Sequence, residues 1–384
     1  LTRLVNTQSG SSIYYTTIRA GKVLPVSDAI GRYREILQSN DAFSIAAGVA
    51  QGASTLEIEA AETALFESAW VSFPYSKDDE KALNLLLDDA SIPGHVKILT
   101  VSAVMLGSFE FFDSRRAIVL ANAYASDSAD EQLKMTALTA LLLLLYVNRG
   151  KELPSDVAAR IDALRDIPGW SSDIKTVYLE LIRTRDTERI ASKLRDEIVP
   201  EMIKMKPEID KRIKTGFGEG IDPSELEENP EWQEFLDSSG IADKMKELSE
   251  IQEEGGDVLM GTFSQLKSYP FFYNPANWFR PFHSDNSVVA QLGDDTNVFG
   301  ELIAQSFFMC DSDKYSFVLA FASMPEAQRN MMISQIKAQN INAAEIQNAS
   351  LNLSTDTRKN IVNKYVQNLY RFFRLFRRKD DFRN

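Results

Sequence analysis

Cysteine is almost absent from this chain: Cys310 stands alone among 384 residues. That excludes an internal disulfide framework and fits a reducing compartment, so a cytoplasmic location is expected, with Cys310 as a small core residue. Histidine is nearly as scarce, with His95 and His283 the only two. Neither has a Cys, His or Glu at ligand spacing, and a tetrahedral zinc site needs about three or four nitrogen or sulfur ligands, so no metal and no cofactor is expected. His95 reads as a residue in the first turn of a helix. The run His283-Ser284-Asp285 carries the letters of a hydrolytic triad, but adjacent residues do not converge on one point, and a loop is the better reading.

Excess positive charge is missing as well. A formal charge of −13 argues against nucleic-acid binding, because a phosphate-reading surface needs surplus Lys and Arg. The exception is the carboxyl-terminal end, where Arg358, Lys359, Lys364, Arg371, Arg374, Arg377, Arg378, Lys379 and Arg383 outnumber Asp356, Asp380 and Asp381. Long apolar runs are lacking: Met135 to Val147 falls well short of the roughly 20 residues that cross a bilayer. Leu1 to Tyr15 shows no charged segment followed by an apolar core, so no signal peptide is read there. Gly216, Gly218 and Gly220 match a phosphate loop only in their glycines, without a Gly-Lys-Ser/Thr ending or a preceding apolar strand, and are read as a linker.

What the chain does contain is an internal repeat. The run Val96-Lys97-Ile98-Leu99-Thr100-Val101-Ser102-Ala103-Val104-Met105-Leu106 returns as Leu133-Lys134-Met135-Thr136-Ala137-Leu138-Thr139-Ala140-Leu141-Leu142-Leu143. A helix-length unit recurring at roughly 35 to 45 residues marks stacked helix pairs, each burying its apolar face against its neighbours. Oxygen-bearing side chains at Ser76, Asp113 and Ser128 mark helix starts, the last with capping-box spacing to Glu131. Shorter partners at 82–86, 117–121 and 157–164 alternate with the long helices, and Thr55 to Trp70 supplies an earlier long member. Ala103, Ala121, Ala137 and Ala140 let helices approach closely, which favours a HEAT-like or TPR-like stack over a coiled coil.

The repeat fades beyond Ser171. Pro200 and Pro207 predict a kink or breaks between Ile198 and Glu208, and the glycine-rich joint that follows is the expected domain boundary. An acidic block runs from Glu225 to Glu254, with helix starts at Asn229-Pro230-Glu231-Trp232 and after Gly240. Ser268 to Phe282 concentrates aromatics and prolines and is expected to be an ordered, extended connector whose rings plug into the helical body. Helices are expected again at 297–309, 315–323, 325–339 and 343–348. The last helix, from near Asp356 past Phe376, places Val362, Leu369 and Phe376 on one face and Lys364, Arg371 and Arg378 on the opposite one.

Two segments supply candidate binding residues. Trp278, Phe279, Arg280 and Phe282 suit a ligand platform, a membrane-surface anchor or an interface hot spot, with core packing as the ordinary alternative. Arg371, Phe372, Arg374 and Phe376 suit attachment to an anionic membrane or packing on a partner or on the preceding helices. The carboxylates Glu57, Glu59 and Glu62, or Glu225, Glu227 and Glu228, offer pairs for glycosidase-type acid/base chemistry, against the ordinary reading of a solvated acidic face.

The segments Asn229 to Trp232, Ser239 to Lys244, Leu266 to Phe272, Asn277 to Phe282 and Leu369 to Phe373 together resemble a large, functionally uncharacterised bacterial family of tetratricopeptide-repeat proteins. The resemblance covers most of the chain after about Leu179, and the earlier part resembles that family's HEAT-like leading region. It implies a fragment ending just before further helical repeats, and it carries over no catalytic residues. No Trp, Leu-Gly, Tyr consensus of the TPR type occurs in these residues. The expectation is therefore an all-α chain: a right-handed HEAT/TPR-like helical-pair superhelix over 1–214, then an irregular helical region over 215–384. Its expected function is that of a non-catalytic scaffold for a protein partner. An all-α hydrolase with paired carboxylates and a peripheral membrane adaptor are the alternatives.

Overall fold

The computed structural model of the protein describes residues 21, 23–47, 54–200, 246–247, 250–251, 256–283, 285–290, 297–306, 309–338 and 357–376. Every regular element among them is helical and none is a strand. The glycine joint, Pro207, the carboxylates Glu225, Glu227 and Glu228, most of the acidic block and the expected helix at 343–348 lie outside the described residues.

Among the described residues eight helices come first: α1 (Val26–Ala47), α2 (Thr55–Val71), α3 (Lys77–Asp88), α4 (Gly94–Glu110), α5 (Ser114–Ala125), α6 (Glu131–Val147), α7 (Ser155–Leu164) and α8 (Trp170–Arg183). Their starts are chemically fixed. Ser54 and Ser76 each form a reciprocal capping box, with Glu57 and Asp79, while Asp113 caps α5 through the amide of Arg115. The expected box at Ser128 is replaced: Asp130 caps α6, accepting from the Leu133 amide at 2.7 Å, and Ser128 turns instead to Asp88 at the end of α3.

These helices form two rows. The long members α2, α4, α6 and α8 pack in sequence, and α1, α3, α5 and α7 pack as a second row beside them. The matched runs in α4 and α6 are the centre of the stack, and α4 is buried continuously from Val96 to Ser108. A helix apolar on every side must be covered on every side. The far face of the long row is covered by the carboxyl-terminal elements, since the final helix crosses α6 and α8 while the turn Ala276–Phe279 sits on α2 and α4. Close approach requires glycine at one point: a Cβ on Gly107 would lie 2.5 Å from the Trp70 carbonyl oxygen.

That covering region contains α9 (Thr187–Lys193), α10 (Asn297–Gln305), α11 (Asp311–Ala322), α12 (Glu326–Ala338) and α13 (Thr357–Leu375). The aromatic and proline segment is not an extended connector. It folds as successive tight turns, Gln265–Ser268, Pro270–Tyr273 and Ala276–Phe279, held by side chains that serve freed carbonyls. Trp278 Nε1 donates to the Phe272 carbonyl at 2.8 Å, and Asn277 Nδ2 donates to that of Phe271 at 2.9 Å. Prolines at 270 and 275 fit because the first turn of a helix needs no internal donor there. Residues on both sides of the expected boundary share one apolar core, which runs from Leu65, Leu99 and Leu138 to Phe272, Trp278, Tyr315 and Phe372.

Candidate functional site

The structure places most of the expected binding residues inside this core. Trp278, Phe279, Arg280, Arg371 and Phe372 are at most 2% exposed, and Phe376 is buried with them. The rings of Trp278 and Phe372 meet edge to face at 5.9 Å, and Phe282, half-buried, packs on Tyr315. They form no outer platform. Arg374 alone of the set is exposed, facing Glu188 at 2.9 Å. Of the expected basic row, Arg378 lies outside the described residues, and Arg371 is not on an open face: it is held at 2.7 Å by Asp257 and at 2.6 Å by Asp313, which also takes Lys267 at 2.9 Å. Burial pushes the Asp313 carboxyl up, but Arg371 and Lys267 more than offset it, so it ionises below the usual carboxylate range. A buried cation needs such partners, and these lie on segments far apart in sequence.

The amino-terminal carboxylates are likewise engaged, and one of them is not on a solvated face. Glu57 completes the α2 cap, while Glu59 accepts from the Ser287 amide and hydroxyl at 2.7 Å each. Glu62 is 2% exposed, paired with Arg280 and with His95 Nε2 at 2.9 Å. His283, expected only as part of a loop, stacks on His95 with ring centroids 4.3 Å apart. Nothing in the local sequence of either histidine signals this meeting. Burial, then the neighbouring His95, draws His283 down to about 4.

Beside this cluster a shallow cleft of about 420 Å³ is lined by Glu59, Glu67, Phe271, Asn274 and Asn277. Burial raises Glu67 above the usual carboxylate range. Glu59 and Glu67 stand eight positions apart on α2, which is about 12 Å along a helix. Of the two, Glu59 is already engaged by the Ser287 amide and hydroxyl.

A second concavity lies along the short row. It is a groove of about 1140 Å³ across α3, α5 and α7. Four transverse ties set its floor. Near the helix starts Arg115 Nε lies 3.4 Å from Glu80. At the middle Asn122 Nδ2 donates to Asn84 Oδ1 at 3.2 Å, and Arg160 Nε donates to Asn122 Oδ1 at 2.7 Å, each pair 38 residues apart. Near the helix ends the Ser126 hydroxyl donates to Asp88 at 2.7 Å, again across 38 residues. Asp88 is exposed at the rim, and the hydroxyls of Ser126 and Ser128 hold its carboxyl below the usual range.

The ladder Asn84, Asn122, Arg160 had a signal in the sequence: three polar residues in equivalent places of successive short helices. It is invisible to a search for catalytic letters, because amides and a guanidinium at that interval form no reactive cluster. Among the described residues no group of three His, Cys, Asp or Glu side chains is placed to hold a metal ion, and no helix is long and apolar enough to cross a membrane. Comparison of the chain with family models, with curated proteins and with solved structures finds no match in any of the three.

Proposed function

We propose that this chain is a non-catalytic helical-repeat scaffold, a HEAT- or TPR-like stack, that binds a segment of a partner protein along its short-helix face. The observation that carries the reading is the groove over α3, α5 and α7 with its ladder of Asn84, Asn122 and Arg160. Its volume of about 1140 Å³ exceeds the roughly 300–1,000 Å³ of small-molecule pockets and suits a polymer. The carboxyl-terminal region supports the same reading by covering the other face of the stack, so the apolar demand of the long helices is already met. The hydrolase and membrane alternatives draw on residues that the fold engages elsewhere: Glu59 with Ser287, Glu62 with Arg280, Arg371 with Asp257 and Asp313.

Site-specific photocrosslinking tests this. A photoreactive residue at position 85, exposed in the groove, should crosslink a polypeptide in an extract of the source cell, whereas the same residue at exposed Met331 should not. Equal labelling from both positions, or none from position 85, would sink the proposal.

A further inference from the structure

We infer that the cleft between α2 and the turns that cover it binds a linear aliphatic diamine, with one ammonium group against Glu59, the other against Glu67 and the methylene chain between them. The inference goes beyond the scaffold reading and uses none of the groove residues. The cleft holds about 420 Å³, which is the scale of small-molecule sites. One wall is α2, where Glu59, Thr63 and Glu67 follow at intervals of one helical turn and so line one side of the helix. The facing wall comes from the cover, through Phe271, Asn277, Arg280 and Ser287.

The two carboxylates differ in how they are held. Each Glu59 oxygen accepts one hydrogen bond from Ser287, at 2.7 Å; an ionised carboxylate offers about four acceptor directions, so Glu59 can take further donors. Glu67 has no such partner: burial is the one influence on its carboxyl, and pushes it above the usual range. A carboxylate desolvated without a partner is costly, and an arriving cation removes that cost. The middle of the cleft has the opposite sign. There Arg280 donates to the Thr63 hydroxyl at 3.5 Å, and buried Glu62 matches its charge. A ligand must therefore carry positive charge at both ends and none between them. Ala60, Ala64 and Val288, with the Phe271 ring, give that uncharged middle an apolar bed. Glu59 and Glu67 stand about 12 Å apart along α2, and a charge-assisted hydrogen bond takes about 2.8 Å at each end, which leaves about 6–7 Å for a chain of about four methylenes. A single metal ion cannot meet both carboxylates across that distance, because its oxygen ligands lie about 2.0–2.6 Å away.

Isothermal titration calorimetry of the full chain with putrescine, the diamine of four methylenes, and with n-butylamine, which keeps the chain and one ammonium, tests this at physiological salt. Putrescine should bind about tenfold more tightly, because only it reaches both carboxylates. Glu67→Gln keeps the shape and removes the charge, and should lower putrescine to the level of n-butylamine. Glu152→Gln removes one charge at an exposed position outside the cleft and should leave putrescine binding unchanged. Thermal melts of both variants confirm folding. No heat of binding from putrescine at millimolar concentration would overturn the inference. Equal affinity for the two amines would also overturn it, since the cleft would then read one ammonium, as a lysine of a polypeptide supplies. Equal weakening by Glu67→Gln and Glu152→Gln would overturn it too, by tracing binding to the overall negative charge of the chain.

Discussion

The stack of α1 to α8 and the region that covers it are held by different physics. In the stack, Leu99, Val104, Leu138 and Leu141 bury apolar faces against neighbouring helices. In the cover, the fixing contacts are long-range and charged: Arg371 to Asp257 and Asp313, Arg280 to Glu62, Arg358 to Asp173. Apolar burial is non-directional and tolerates small shifts, whereas a desolvated ion pair works only in one geometry. The stack therefore supplies a regular surface and the cover supplies unique registration upon it. The groove belongs to the first region, and its evenly spaced ladder is a direct product of that regularity.

The largest effect should come from breaking the cover at its buried cation. Arg371→Ala leaves Asp257 unpaired and Asp313 with Lys267 alone, at 0% exposure for Arg371 itself. Unpartnered buried charge of this kind costs about 3–5 kcal/mol. The urea midpoint of the full chain should fall accordingly with an unchanged slope. A loss below about 1 kcal/mol would mean that the network adds little to registration. In the stack, Leu138→Ala removes a side chain at 0% exposure from the centre of α6, for an expected loss of about 2–4 kcal/mol. Urea titration of that variant beside Arg371→Ala measures how far the two modes of holding differ. If Leu138→Ala proved nearly silent, the stack would not be the apolar body described above.

Acidity should separate the two regions next. His283 lies against His95, Glu62, Arg280 and Asp285, and is lowered from 6.5 to about 4 in the folded chain. Between those values the unfolded chain binds a proton that the folded chain does not, so stability is whole above pH 6.5 and falls as pH drops toward 4. The full shift corresponds to about 3 kcal/mol at most. Burial pushes Glu62 up, but His95 and Arg280 hold it below the usual carboxylate range, so its contribution is lost only at the acid end of the same window. Urea midpoints at pH 7 and pH 5 should differ in the wild type and differ less in His283→Phe. A wild type that gains stability on acidification would show that His283 is not held neutral.

What was legible in the sequence follows the same division. Helices α2 to α7 are written in local terms, through caps at Ser76 and Asp113, a matched apolar run and alternating lengths. The cover was legible as helices and as rings that plug into the helical body, but not in its packing. Nothing local says that α13 crosses the stack and meets the aromatics at 278 and 279. His95 and His283 illustrate the limit most plainly: each is unremarkable where it stands, and only the tertiary fold stacks them. The ladder residues fall between these cases. Their interval was readable, but their chemistry becomes apparent only when Asn84, Asn122 and Arg160 are seen bonded in line.

The smallest effect tests how finely local chemistry sets the stack. Sequence spacing favours Ser128 as the cap of α6, because Glu131 follows at the position a capping box uses. In the fold Asp130 takes that place, and Ser128 bonds the carboxylate of Asp88 together with the hydroxyl of Ser126. A carboxylate at the cap satisfies a free amide and also faces the positive end of the helix dipole, which a hydroxyl does less well. Asp130→Ala should then cost about 1 kcal/mol, as cap removals do. Ser128→Ala removes an exposed side chain and should cost only a few tenths of a kcal/mol, typical of surface changes. Paired urea midpoints decide between them, and the reverse order would make Ser128 the cap.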